Sequence, residues 1–121
     1  MNNKPTVLRD RLIEFTLDVL GFIKSLPKSV ENDVFSKQII RSASSIGANY
    51  SEAMFGHSRI EFIHSINISR KEASETIYWL EVIKKANPKF DKDADLLLEE
   101  ATSLLKIFVS SVKTAKSGLS K

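Results

Sequence analysis

The chain contains no cysteine, only 3 prolines and 4 glycines in 121 residues, and no long apolar run. Without cysteine there is no disulfide framework and no thiolate-ligated metal site, which fits a reducing compartment. No stretch approaches the roughly 18 apolar residues of a membrane span, and the amino terminus lacks the apolar core of a signal peptide. These absences predict a cytoplasmic protein with no membrane partner.

The residues that are present have the balance of a globular protein. Apolar residues make up 42% of the chain and charged residues 27%. A length of 121 residues supports one hydrophobic core but not two ordinary domains, so we expect a single domain over residues 1–121. The net charge of +3 permits a nucleic-acid partner without indicating one by itself.

Apolar residues recur at helical spacing in four segments, and no window shows the alternation of a strand. Pro27, Gly56 and Pro88 mark the ends of segments, because neither residue type continues a helix easily. Asn32 or Asp33 can cap the second helix, and Ser58 with Glu61 has the capping-box spacing for the third. The predicted helices cover about residues 6–26, 32–55, 58–86 and 91–115.

Short connections between long helices favour antiparallel neighbours. The sequence therefore predicts an all-α fold, an antiparallel up-down-up-down four-helix bundle.

The third helix departs from a simple amphipathic pattern. Its inner face is predicted at Phe62, Ile63, Ile66, Ala73, Ile77 and Leu80. Ile68, Tyr78, Trp79 and Val82 point elsewhere. Ile68 and Trp79 share a stripe with Glu61, Ser65, Glu72 and Glu75. An exposed Trp and Ile pair is typical of an interface, so this stripe predicts self-association. Whether Trp79 contacts another subunit or the bundle core stays open.

Helix 2 carries a polar stripe on the side opposite its apolar face, formed by Arg41, Ser45, Asn49 and Glu52. Small residues lie between the two faces, and Gly47 among them indicates a steric need, since glycine in a helix interior costs about 1 kcal/mol relative to alanine. Such a stripe most often makes hydrogen bonds to a neighbouring helix or subunit. Ligand binding by the stripe is the alternative.

Helices 2 and 3 together resemble a known family. The matching segments are residues 38–43, 45–46, 49–53, 58, 61–62, 71–76 and 78–80. They resemble the bacterial four-helix bundle proteins encoded in intervening sequences of 23S ribosomal RNA genes, a group that includes the accessory proteins of diversity-generating retroelements. One departure is Ala53, where family members often have glycine.

The resemblance implies a small all-α protein that assembles into a ring, commonly a pentamer. It also implies that the motif residues Arg41, Ser45, Asn49, Glu52, Glu72, Glu75 and Trp79 serve structure and assembly. The retroelement accessory proteins bind nucleic acid and a reverse transcriptase through a basic surface. For most other members no activity is established.

Arg70 falls within the predicted inner face of helix 3. A buried guanidinium is costly unless it is paired or reaches water, so Arg70 is either a structural charge or a ligand-binding cation.

Glu61 and His64 form a single Glu-x-x-His, whereas a di-metal bundle site needs two. The sequence also has no nucleophile elbow and no glycine-rich phosphate loop. We therefore expect no catalytic residue, no metal and no cofactor.

Basic residues give a weak indication of nucleic-acid binding. The candidates lie near the start of helix 1, at the end of helix 3 and along helix 4: Arg9, Arg11, Lys84, Lys85, Lys106, Lys113 and Lys116. A ring would repeat such residues once per subunit and strengthen phosphate binding. The sequence thus favours a non-enzymatic, ring-forming homo-oligomer that binds RNA or DNA through these residues. The alternative is a scaffold that recruits a protein partner and does not contact nucleic acid.

Overall fold

The computed structural model describes residues 4–119, with side chains described for residues 7–118. It consists of α1 (Lys4–Ser25), α2 (Val30–Met54), α3 (Arg59–Ala86), a one-turn 3-10 helix (Pro88–Phe90) and α4 (Asp91–Leu119). No strand occurs among the described residues. The prediction of an all-α, four-helix protein is confirmed.

Each helix contacts the next one along the chain. The Thr16 hydroxyl of α1 lies 3.5 Å from the Ala43 carbonyl oxygen of α2. Between α2 and α3 the hydroxyls of Ser42 and Thr76 are 2.8 Å apart, and Ser69 reaches Ile46, so a later position in α2 contacts an earlier position in α3. Lys84 Nζ donates to Asp95 Oδ1 at 2.6 Å between α3 and α4. These contacts are consistent with the predicted antiparallel bundle.

The helix starts follow side-chain capping. Ser58 caps α3, since its hydroxyl accepts a hydrogen bond from the Glu61 amide at 3.1 Å, as the capping-box spacing predicts. The predicted cap of α2 is wrong. Ser29 caps that helix and accepts from the Asn32 amide at 3.0 Å, so α2 begins at Val30. Asn32 is buried instead, against Asn87.

The core runs the length of the bundle and includes residues of all four helices. Phe15, Ile46, Leu80 and Phe108 are each at most 1% exposed. The buried face of α3 differs from the prediction, because polar residues occupy positions on it. It consists of Ile66, Ser69, Ala73, Thr76, Leu80 and Ile83.

Candidate functional site

Four of the seven predicted motif residues meet on the outer side of the α2–α3 seam. Arg41 Nη1 of α2 lies 3.3 Å from Glu72 Oε1 of α3, and its Nη2 donates to Glu75 Oε2. Trp79 Nε1 donates to the same Glu75 oxygen at 3.0 Å. These two donors lower the pKa of Glu75, and the pKa of Arg41 is raised by the Glu75 carboxylate. The motif thus ties α2 to α3 within one chain.

Trp79 is not the exposed side chain that its stripe indicates. It is half-buried and packs against the core, with its ring centroid 6.2 Å from that of Phe35 on α2. Tyr78 meets it edge-on at 5.0 Å. Ile68 is half-buried as well. Exposed apolar surface lies beside Trp79, at Tyr78, which the sequence also places off the inner face, and at Val34 of α2, which apolar spacing did not single out.

The other three motif residues continue along α2 toward its end. Asn49 Nδ2 donates at 2.9 Å to the Ser45 carbonyl oxygen, one turn back in the same helix. Ser45 and Asn49 are half-buried, and Glu52 is exposed. The structure thus divides the predicted stripe into an α2–α3 ion-pair cluster and a separate segment near the α2–α3 connection.

Sequence reasoning missed the buried hydroxyls of the α2–α3 seam. Besides the Ser42–Thr76 contact, Ser69 Oγ donates to the Ile46 carbonyl oxygen at 2.9 Å. Thr76 Oγ1 also contacts the Glu72 carbonyl oxygen at 2.8 Å. The described residues contain no buried side-chain nitrogen or oxygen without a hydrogen-bond partner. The spacing of Ser69, Ala73 and Thr76 places small side chains on one face of α3, and this pattern could have indicated the buried hydroxyls.

Arg70 does not lie in the core. The side chain is half-buried, and its Nε donates to Asn67 Oδ1 at 2.7 Å. Ser69 occupies the buried position that the prediction gave to Arg70. Because Arg70 has access to water, its charge needs no buried partner.

Among the candidate cations, Arg9, Arg11 and Lys84 each have a carboxylate partner. Arg11 Nε and Nη2 donate to the two oxygens of Glu100, each at 2.7 Å, and Nη2 reaches Ser103 Oγ at 2.9 Å. Lys84 pairs with Asp95, and Arg9 lies 3.7 Å from Asp10. Hydrogen bonding to these partners raises the pKa of both Arg11 and Lys84. Arg11 and Lys84 therefore stabilise contacts between helices.

The remaining candidates are exposed: Lys85 at the end of α3, and Lys106, Lys113 and Lys116 on α4. The charges of α4 are segregated along its length. Residues 91–100 include Asp91, Asp93, Asp95, Glu99 and Glu100, whereas residues 101–119 include three lysines and no carboxylate. We call Lys106, Lys113 and Lys116 the basic stripe.

The two histidines lie near the α2–α3 connection, at an open depression of about 520 Å³ that also contains Glu52 and Glu61. Among the described residues, no group of three or more His, Asp or Glu side chains is arranged to hold a metal ion. None of the described helices has the length and apolar character needed to cross a bilayer.

The fold, the α2–α3 motif and the helix order define a class of small all-α proteins built on an antiparallel four-helix bundle. The family model described as 23S rRNA-intervening sequence protein matches residues 7–110. The chain belongs to this family.

A similar solved structure is that of a protein of unknown function from Bacteroides thetaiotaomicron VPI-5482, which is assigned to the S23 ribosomal protein family. It is 36% identical, with a TM-score of 0.82 over 91% of this chain and 98% of that one. The comparison with curated proteins gives no match. Neither description names a catalytic activity.

Proposed function

We propose that the protein is a non-enzymatic homo-oligomer, a ring of about five copies, that binds RNA or DNA phosphates through the basic stripe of α4. The observation that carries the proposal is the charge segregation of α4. Lys106 and Lys113 are exposed, and residues 101–119 contain no carboxylate, although Lys106 borders a depression that also contains Asp95 and Glu99. The size of the ring and the nucleic-acid partner follow from the family resemblance.

The spacing of the basic stripe suits a phosphate backbone. Lys106 and Lys113 are two helical turns apart, about 11 Å along one side of α4. Exposed Ser110 and Ser117 lie on the same side and offer hydroxyl donors. One copy presents few cations, so we expect weak binding by a single chain. A ring presents the stripe once per copy, which raises the affinity for a long polyanion.

The salt dependence of binding to a duplex RNA tests the proposal. For the wild type we expect log K to fall linearly as log salt concentration rises. The slope is about 0.9 for each phosphate contacted in a B-form duplex, and we take that value as the guide for the RNA duplex. Lys106→Glu with Lys113→Glu should weaken binding at least tenfold. The matched control is Lys24→Glu with Lys28→Glu, which changes net charge equally at exposed positions in the last turn of α1 and in the α1–α2 connection. A wild-type slope near zero, or equal losses in both double variants, would contradict binding by the stripe.

A protein scaffold is the second candidate, and the α2–α3 connection favours it. Phe55 is 79% exposed and Ile60 is 69% exposed at this tip of the bundle, where none of the described helices covers them. Large apolar side chains at an exposed tip suit a polypeptide partner. Retained assembly together with a salt slope of zero would favour the scaffold over nucleic-acid binding.

A further inference from the structure

The α2–α3 face carries an exposed patch beside Trp79. The Phe35–Trp79 contact brings these two positions together, so their chain neighbours Val34 and Tyr78 lie at the same height on the outer side. Val34 is 50% exposed and Tyr78 is 57% exposed. Lys37 is one turn beyond Val34 and is exposed. We call Val34, Lys37 and Tyr78 the α2–α3 patch. Val34 and the ring of Tyr78 supply apolar surface, and the Tyr78 hydroxyl and the Lys37 ammonium supply hydrogen-bond donors.

The opposite face of the bundle carries a groove between α1 and α4. It has a volume of about 410 Å³, and its lining includes Glu100 together with Asp18, Gly21, Phe22, Asp93, Leu96 and Leu97. A Cβ atom at Gly21 would meet no atom within 4 Å, and Leu96 is 67% exposed, so this groove is open. Arg11 engages Glu100, but Asp18 and Asp93 have no ion pair among the described residues.

We infer that the α2–α3 patch of one copy of the chain docks into the α1–α4 groove of the next copy. Val34 and Tyr78 would cover Leu96 and the floor formed by Phe22 and Leu97. The Tyr78 hydroxyl and the Lys37 ammonium would face the carboxylates of Asp18 and Asp93. This inference rests on the proposed homo-oligomer and names the two surfaces that join its copies.

Chemical complementarity supports the pairing. A carboxylate that loses water in a contact needs a hydrogen-bond donor, and the groove supplies none that is not already engaged. The patch supplies two donors next to apolar surface. Exposed Glu31 and Glu81 also lie on α2 and α3, so we expect local contacts rather than long-range attraction to set the specificity.

The positions of the two surfaces permit a head-to-tail assembly. α1 packs between α2 and α4, as α3 does, so the α2–α3 face and the α1–α4 face lie on opposite sides of the bundle. Both surfaces lie in the half of the bundle that contains the Asn32–Asn87 and Lys84–Asp95 contacts. A ring of more than two copies needs two different surfaces on each copy, and it closes only if each copy is rotated relative to the one before it. Because these two surfaces share a height, successive copies join without a shift along the helix axes, and the rotation at each contact decides whether the row closes.

Two variants and their mixture test the pairing by light scattering. Gly21→Arg plugs the groove and places a guanidinium near Asp18, and it should leave the chain folded because arginine is a better helix former than glycine. Val34→Glu with Tyr78→Glu puts carboxylates on the patch at exposed positions. Each variant alone should have the mass of a single chain. Their mixture should give a pair that grows no further, because it retains one intact patch and one intact groove.

The controls separate this inference from the proposed function. Gly21→Ala leaves the groove open, and Glu99→Arg changes charge at an exposed α4 position outside the groove lining, so both should assemble like the wild type. A wild type with the mass of one chain would contradict the proposed ring and the inference together. A wild-type ring that persists in both test variants, or a mixture that stays monomeric, would contradict only the pairing of these surfaces.

Discussion

At the scale of single residues, small hydroxyl side chains set the distance between α2 and α3. Ser69 is fully buried, and its hydroxyl reaches the Ile46 carbonyl oxygen of the facing helix at 2.9 Å. A hydrogen bond of this length from a side chain as short as serine requires the two backbones to be close. Ser42, Ala43, Ala73 and Thr76 are buried along the same seam. Larger residues at these positions would push the helices apart.

Ser69 provides the first test of this packing. Ser69→Ala loses one buried hydrogen bond and should lower the free energy of unfolding by about 1 kcal/mol. Ser69→Leu overpacks the seam and should lower it by about 3 kcal/mol or more. Urea denaturation of the two variants measures the difference. Equal costs for alanine and leucine would mean that the seam has room, contrary to the contacts.

The Glu75 carboxylate should make stability depend on pH at the acidic end. Hydrogen bonds from Trp79 and Arg41 lower its pKa below the ordinary 4.5, so its ionised form stabilises the folded state above pH 4.5. That contribution is lost as the pH falls through the lowered pKa. Glu75→Gln should cost about 0.5–1 kcal/mol at pH 7, a modest loss because the side chain is partly solvated.

Urea denaturation at pH 7 and pH 3 checks this expectation. The gap between wild type and Glu75→Gln should be smaller at pH 3 than at pH 7, because below the ordinary pKa of 4.5 protonation of the unfolded chain reduces the advantage of the ionised folded form. Glu14→Gln, at an exposed α1 position, is the matched control and should give no such gap at either pH. A gap that is the same at both pH values would mean that the charge of Glu75 contributes nothing.

At the scale of elements, the α1–α2 contact is looser than the sequence indicates. A Cβ atom at Gly47 would lie 3.4 Å from Leu12 Cβ, which is an ordinary van der Waals distance. The steric need inferred for Gly47 is therefore absent for a methyl group. Gly47→Ala should raise the free energy of unfolding by up to about 1 kcal/mol through helix propensity alone.

Gly21 supplies the control for Gly47, because its Cβ position is open. Gly21→Ala measures helix propensity without any packing term. Thermal unfolding of both variants should show similar gains. A gain at Gly21 with a loss at Gly47 would show that α1 and α2 cannot accept even a methyl group there.

A buried amide pair joins the start of α2 to the end of α3. Asn32 and Asn87 each donate to the other's side-chain oxygen at 2.9 Å, and they are 6% and 8% exposed. Replacing either residue with alanine leaves the other's buried side-chain oxygen without its donor, although the nitrogen keeps a backbone carbonyl, so each variant should lose about 1–3 kcal/mol. A double-mutant cycle in urea should show that the double variant loses less than the sum of the singles. Additive losses would contradict the reciprocal pairing.

The sequence predicts elements better than contacts. Apolar periodicity, Pro27 and the Ser58–Glu61 box indicated four helices, because helix propensity and capping depend on residues close in the chain. The partners of buried polar residues depend on helix rotation, which apolar spacing only approximates. For this reason the sequence offers Asn32 or Asp33 as a cap where Ser29 serves, gives Arg70 the buried position of Ser69, and leaves open whether Trp79 contacts the core or another subunit. The family motif includes Arg41, Glu72, Glu75 and Trp79, but it does not show that they contact one another within one chain.

At the scale of the whole molecule, the surfaces left exposed by one bundle matter more than its core. Val34, Tyr78 and Leu96 are at least half exposed, although the core is closed and every buried side-chain polar atom among the described residues has a partner. If copies cover these side chains, folding is linked to assembly and the melting temperature depends on concentration. A tenfold rise in protein concentration should stabilise each folded chain by about 1 kcal/mol.

For a domain of this size, that stabilisation raises the melting temperature by about 3–6 °C. Val34→Glu should remove the dependence on concentration while changing the stability of the single chain little, because Val34 is half exposed and glutamate is a good helix former. Trp79→Ala is the poorer probe, since it also removes the Phe35 contact within the chain. Calorimetry at about 10 and 100 μM checks the expectation. A wild-type melting temperature that is the same at both concentrations would mean that the bundle folds and functions as a single chain, with its exposed apolar surface reserved for a different partner.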